Sequence, residues 1–218
     1  MSRDSREATR NPFQLCLVTD PTHAELERVV TEALAAGISM LQLRGHTLSA
    51  ASLYALARRF LPLCNRYQTA LIVNDRLDVG LAAGAHGFQL GRRSLPVAVA
   101  RSLVGPEMLL GVSVHSLEEA REAVEAGADY LLAGTLFPSH SHPGERTAGI
   151  GLIRALRQAY PALPLIGIGG ITSENAAEVI EAGANGVAVI SALFQAPSVS
   201  VEVERLRRAS DRKGEADA

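Results

Sequence analysis

His115 ends an apolar run, Leu109 to His115, and is followed at once by Ser116 and, three residues on, by Glu119. Ser-x-x-Glu is a capping-box spacing, so a helix is expected to begin there, with the histidine at a strand-to-helix corner. An imidazole in that place is either a hydrogen-bonded structural group or a proton shuttle, because its ordinary pKa of about 6.5 lies near working pH. Other chemistry-bearing residues also close apolar runs. They are Thr19 and Asp20; Gln42, Arg44 and His46; Asn74 and Asp75; Gln89; Ser113 beside His115; Thr135; Gly169 and Gly170; and Ile190 and Ser191.

Each group suits a particular chemistry and has a plainer alternative. Gln42, Arg44 and His46 alternate, so they face one side of an extended segment. Arg44 suits an anionic oxygen or a surface ion pair. Asp75 suits Mg²⁺, which takes oxygen ligands, and equally a helix N-cap before RLDVGL. In IGIGGITSEN two glycines precede a helix start. Together with Ile190 and Ser191 they suit a phosphate held on backbone amides, or a tight turn. The connection from Phe137 to Gly149 is the longest and has the composition of a lid or binding loop (residues 138–148). His140 and His142 within it lack the further ligands a metal site needs.

The elements that must position these residues follow from the apolar pattern. Eight short runs begin near Leu15, Ser39, Ala70, Gly87, Leu109, Asp129, Pro164 and Gly186, and each is followed by a segment of helical period. The runs are continuous rather than alternating, as in parallel strands buried on both faces. Helical segments stop at Gly37, Gly84, Gly127 and Gly183, and EAGADY and EAGANG read as an internal repeat of one βα module. This predicts an α/β fold, a single (β/α)8 TIM barrel with parallel strands spanning 13–210, between flexible tails at 1–12 and 211–218. A doubly wound sheet is the alternative, weakened by the lack of Gly-x-Gly-x-x-Gly after the first strand. In the barrel, active sites lie at the C-terminal strand ends, where the polar residues above collect.

Composition narrows the function. Of the 218 residues 47% are hydrophobic, enough for one sizeable core, and the formal charge of -2 argues against a nucleic-acid partner. Cys16 and Cys64 fall in apolar segments and read as buried, reduced thiols. The N-terminus lacks an apolar signal core, and no segment approaches the ~18 apolar residues of a membrane helix. A cytoplasmic protein with a small-molecule partner and no membrane partner is expected; homo-oligomerisation is left open.

The ordered set LVTD, QLR, NDR, GxQLG, SVHS, GTLFPS, IGIGGI and GVAVIS resembles the thiamine phosphate synthase and TenI superfamily over about residues 13 to 195. The resemblance implies one of two activities. A synthase joins hydroxymethylpyrimidine diphosphate to a thiazole phosphate with Mg²⁺; a TenI-type tautomerase aromatises a carboxythiazole phosphate without metal. The synthase pattern resembles QLRxK, GADGVHLGQ and FPTxTK. Here His46 replaces the first lysine; His86 replaces an Asp implied to bind Mg²⁺; Gln89 and Arg92 replace the His and Gln; and Ser139, Ser141 and His142 stand in the third motif. HGFQL and SVHSLEEA are similar to the tautomerase branch.

The resemblance therefore implies first a thiazole tautomerase, an isomerase in thiamine biosynthesis with no cofactor. His115 would carry a 1,3-proton shift. Gln42, Arg44, Asn74, Gln89 and Ser113 would bind substrate, Arg44 through its carboxylate. Backbone amides of Gly169, Gly170, Ile190 and Ser191 would take the phosphate. The alternative is a thiamine phosphate synthase, a transferase with Mg²⁺ on Asp75 and with His46 and His142 in place of lysines. The third is a non-catalytic thiazole-phosphate-binding regulator.

Overall fold

The structure, a computed structural model, describes residues 14–138 and 147–211. The expected tail at 1–12, residues 212–218 of the other, and Ser139, His140, Ser141 and His142 lie outside the described residues. Asp211, expected in the tail, closes the last helix.

Eight parallel strands close into one barrel in chain order: β1 (Leu15–Val18), β2 (Met40–Leu43), β3 (Ala70–Asn74), β4 (Gly87–Leu90), β5 (Leu109–Val114), β6 (Tyr130–Ala133), β7 (Leu165–Ile168) and β8 (Gly186–Val189). The helices between and after them are α1 (Leu26–Ala35), α2 (Ala50–Arg66), α3 (Leu77–Ala83), α4 (Val97–Val104), α5 (Leu117–Glu125), α6 (Ile150–Ala159), α7 (Ala176–Glu181), the one-turn α8 (Ser191–Phe194) and α9 (Val199–Asp211). The expected (β/α)8 barrel is present; α8 is an addition that the apolar pattern is too short to reveal.

Two apolar layers hold the barrel. Leu15, Leu17, Leu41, Leu43, Leu71 and Val73 belong to the large cluster shared with the helices, whereas Cys16, Val18, Met40, Ile72, Tyr130, Leu132, Ile166 and Ala188 form a smaller cluster of strand residues alone. The alternation is that of a strand, so the second cluster is the barrel interior. Burial pushes the thiols of Cys16 and Cys64 up to about 12, which keeps both unreactive.

A fourfold repeat closes the N-terminal end. Ser39, His86, Asp129 and Asn185 each immediately precede an even-numbered strand, two residues after Gly37, Gly84, Gly127 and Gly183. Each donates its backbone N–H to the carbonyl of a leucine in the preceding strand: Leu15, Leu71, Leu110 and Leu165. Each side chain accepts that same leucine's N–H, at 3.1, 2.9, 2.8 and 2.9 Å. The four glycines have φ between 80° and 112°, which turns the chain from helix end to strand at no Cβ cost. In the second half of the barrel, Arg101 and Arg157 add a clamp, donating to the carbonyls of Gly127 and Gly183 and to Asp129 and Asn185.

The repeat also gives His86 a role. His86 stands at the end of β4 away from the strand C-termini. Its Nδ1 takes the Leu71 amide proton, and burial holds the imidazole below its ordinary pKa. The position implied to carry a metal-binding Asp is a strand stitch, occupied by Asp129 and Asn185 in the other modules.

Candidate functional site

A cavity of about 620 Å³ opens at the C-terminal ends of the strands. Gln42, Arg44, Asn74, Ser113 and His115 line it, as do His46, Asp75, Gly169, Gly170, Ile190 and Ser191. Closure of the barrel brings together segments that are up to about 150 residues apart in the chain. Gln89, expected on the substrate, does not line the cavity. It is buried below the wall and donates through Nε2 to Ser113 Oγ at 3.0 Å, because its inward position on β4 lies under that of Ser113 on β5. Gln89 therefore sets the Ser113 hydroxyl rather than reaching the cavity.

The wall between β2 and the loop after β4 is one polar chain. Gln42 Nε2 donates to Asn74 Oδ1 at 2.7 Å, and Asn74 Nδ2 donates to Asp75 Oδ2 at 2.7 Å. Asp75 Oδ1 accepts from Ser94 Oγ and, at 3.3 Å, from the Gly91 amide. Asp75 has φ 58°, a left-handed conformation that aspartate tolerates, and this turns the carboxylate toward that loop. It does not cap α3, whose N-cap is Arg76 with no side-chain cap bond. Thr19 accepts the Arg44 amide at 3.0 Å and so steadies the backbone beneath the guanidinium. Asp20 instead turns to Thr22, whose hydroxyl holds its carboxyl below the usual range.

Three arginines, Arg44, Arg92 and Arg93, and one carboxylate, Asp75, line the cavity here. His46 Nδ1 lies 3.6 Å from Asp75 Oδ2. Burial, then Arg44, push its imidazole below its ordinary pKa; Arg93 adds to this and Asp75 opposes it. Arg92, Arg93 and Ser94 were outside the sequence expectation for binding. The signal was present, since GRRS directly follows the fourth apolar run.

His115 sits where the sequence placed it, one residue before Ser116, the N-cap of α5. Ser116 caps that helix, accepting the Glu119 amide at 3.1 Å. Glu119 does not complete the capping box on Ser116. Its Oε2 takes the His115 backbone N–H at 2.7 Å and lies 2.9 Å from His115 Nδ1. Burial opposes ionisation of Glu119, but the hydrogen bonds from the His115 side chain and amide outweigh it and hold the carboxyl below its ordinary pKa. With Nδ1 turned to the Glu119 carboxylate, Nε2 is the ring nitrogen left for other partners. Glu119 also pairs with Arg92 at 3.1 Å.

The opposite wall is built from backbone and apolar side chains. Gly169 and Gly170 have φ 101° and 63°, and a Cβ would fall 2.4 Å from Thr135 Cγ2 and from the Pro138 carbonyl respectively. Ile190 is the N-cap of α8, so Ser191 begins that turn. Leu132, Ile168 and Ala188 form the floor between the two walls.

Mg²⁺ requires several oxygen ligands in near-octahedral array. Among the described residues Asp75 is the one carboxylate lining the cavity, and its oxygens already accept protein donors. The guanidiniums of Arg44, Arg92 and Arg93 line the same cavity, and their charge opposes a cation there. The residues present do not fit a magnesium site.

A parallel barrel with an anion-attracting cavity at its C-terminal mouth defines a broad class of enzyme folds that act on phosphorylated small molecules. The chain belongs to the thiamine monophosphate synthase family, whose model matches residues 15–193. A thiamine-phosphate synthase of Moorella thermoacetica is 46% identical over 82% of this chain and 85% of its own length. One from Pyrococcus furiosus is 37% identical over 91% of this chain and 95% of its own length. The solved thiamine phosphate pyrophosphorylase of Pyrococcus furiosus superposes with a TM-score of 0.86 at 36% identity, covering 93% of this chain and 98% of that one. A 3-hexulose-6-phosphate synthase of Salmonella typhimurium shares the barrel alone, with a TM-score of 0.70 at 14% identity over 91% of this chain and 99% of that one. No helix among the described residues is long and apolar enough to cross a membrane.

Proposed function

We propose that the chain is a thiamine-phosphate synthase, joining a pyrimidine methyl diphosphate to a thiazole phosphate. The observation that carries this reading is the near full-length match, at 37% and 46% identity, to relatives bearing that name. It replaces the tautomerase as the first reading, since none of the named relatives above is a tautomerase. The cavity suits two anionic substrates. The thiazole phosphate rests on the amide wall at Gly169, Gly170, Ile190 and Ser191, and the diphosphate faces Arg44. The thiazole nitrogen attacks the pyrimidine methylene carbon, the C–O bond breaks, and the electron pair leaves on diphosphate. Negative charge grows on that leaving group, where fixed cations stabilise it most. Leu132 and Ile168 supply the apolar floor for the rings.

The test mixes both substrates with the purified protein, with and without Mg²⁺, and follows products by mass spectrometry. Thiamine phosphate and pyrophosphate in equal amounts are expected; neither forming under either condition overturns the reading. One observation favours the tautomerase as a second reading: Glu119 orients His115 as a base on the cavity wall. Under the synthase reading, His115→Asn keeps condensation within about threefold, because no proton is moved at the reacting carbon. Metal-independent aromatisation of the carboxythiazole phosphate, lost in His115→Asn, establishes the second reading. Tight thiazole-phosphate binding without either turnover identifies a regulator.

A further inference from the structure

Two departures from the synthase pattern fall on the β2–β5 wall of the cavity. Lysine gives way to His46, and an arginine pair stands at Arg92 and Arg93 on the loop after β4. The Arg44 and Arg93 guanidiniums have no ion-pair partner among the described residues, so their donors are open to a ligand. Arg92 is held only by the partly exposed Glu119 at 3.1 Å. The one carboxylate that lines the cavity with them, Asp75, spends its oxygens on Asn74, Ser94 and the Gly91 amide. Those bonds tie the end of β3 to the loop that carries both arginines.

We propose that this wall binds a diphosphate directly on the guanidiniums of Arg44, Arg92 and Arg93, without a magnesium bridge, and that Asp75 anchors the arginine loop instead of ligating metal. The diphosphate belongs to a substrate on the synthase reading above; the anion site rests on that reading only for the ligand's source. Guanidinium forks match the paired oxygens of phosphate groups and carry charge that no pH near neutrality removes. Three of them supply the positive charge that a divalent cation and lysines would otherwise bring. His46 sits between Arg44 and Arg93 as a hydrogen-bonding group rather than a further charge.

The test titrates the full chain with inorganic pyrophosphate by calorimetry, once in EDTA and once in excess Mg²⁺. Binding in EDTA is expected to be as tight as in Mg²⁺ or tighter, because magnesium complexes the free anion and competes with the arginines. Arg92→Ala and Arg93→Ala should each weaken binding about tenfold, with the matching lysine variants between them and the wild type. Asp75→Asn, which keeps the loop bonds to Ser94 and Gly91, should leave the response to Mg²⁺ unchanged. Circular dichroism melts confirm that each variant folds. Tighter wild-type binding in Mg²⁺ overturns the proposal, as does undiminished binding in the Arg92→Ala, Arg93→Ala double variant. Pyrophosphate binding in EDTA without any condensation activity overturns the synthase reading and leaves the anion site standing. Condensation with pyrophosphate binding that Mg²⁺ tightens does the reverse.

Discussion

The β2–β5 wall of the cavity presents Arg44, His46, Asp75, Arg92 and His115, whereas the β6–β8 wall presents Gly134, Gly169 and Gly170 among Leu132, Ile168 and Ala188. The first offers side chains to a ligand, the second main chain packed so closely that a Cβ does not fit. Side-chain recognition changes with single substitutions, and it is on this wall that the chain departs from the synthase pattern at position 46 and in GRRS. Main-chain recognition needs only glycine and a helix start, and IGIGGI and GVAVIS keep both. The N-terminal end is indifferent to this division: stitches by Ser39 and His86 lie under the first wall, and those by Asp129 and Asn185 under the second.

Breaking the glycine wall should have the largest effect. Gly170→Val places branched carbons against the Pro138 carbonyl at a φ of 63°, so thiazole-phosphate turnover should fall about a hundredfold or more. Steady-state kinetics read this, with the melting temperature recorded alongside. Arg44→Ala should come next, lowering condensation up to about a hundredfold through loss of charge stabilisation, with Arg44→Lys recovering part of it. Thiazole-phosphate affinity measured separately should hold within about twofold, since the guanidinium lies on the other wall; equal loss of both substrates would erase the distinction.

Removing stitches should lower stability and spare both walls. His86→Ala strands the Leu71 amide and should cost about 1–3 kcal/mol in denaturant unfolding. Asn185→Ala should cost more, because it also strips a partner from Arg157. The smallest effect concerns pH. Burial lowers the folded-state pKa of His86 from 6.5, so the unfolded chain takes up the proton more readily. The stability from the neutral ring is present above about pH 6.5 and is lost as pH falls below it. His86→Asn, which still accepts the Leu71 N–H, should show a shallower loss of melting temperature between about pH 7 and pH 5, by a few degrees.

Much of this was legible in the chain. Continuous apolar runs gave the parallel strands, and helix-ending glycines gave the module boundaries. Strand-end polarity gave Gln42, Arg44, Asn74, Ser113, His115 and the glycine pair on one cavity. The reading failed where a partner lies far away in sequence. Gln89 and Ser113 are 24 positions apart, and only strand pairing puts one below the other. The role of His86 could not be read from its motif either; the barrel places it at the N-terminal end of β4, against Leu71.

What the sequence by itself determined is the periodicity: eight buried runs, their turns, and a histidine before a capped helix, all set by interactions within a few residues. What only the tertiary structure decided is direction. Whether Asp75 caps a helix or anchors a loop, and whether Gln89 reaches the cavity or bonds Ser113, depends on which groups closure of the barrel brings within about 3 Å. Local propensity carries no information about those donors, because each hydrogen bond depends on the final position of both groups.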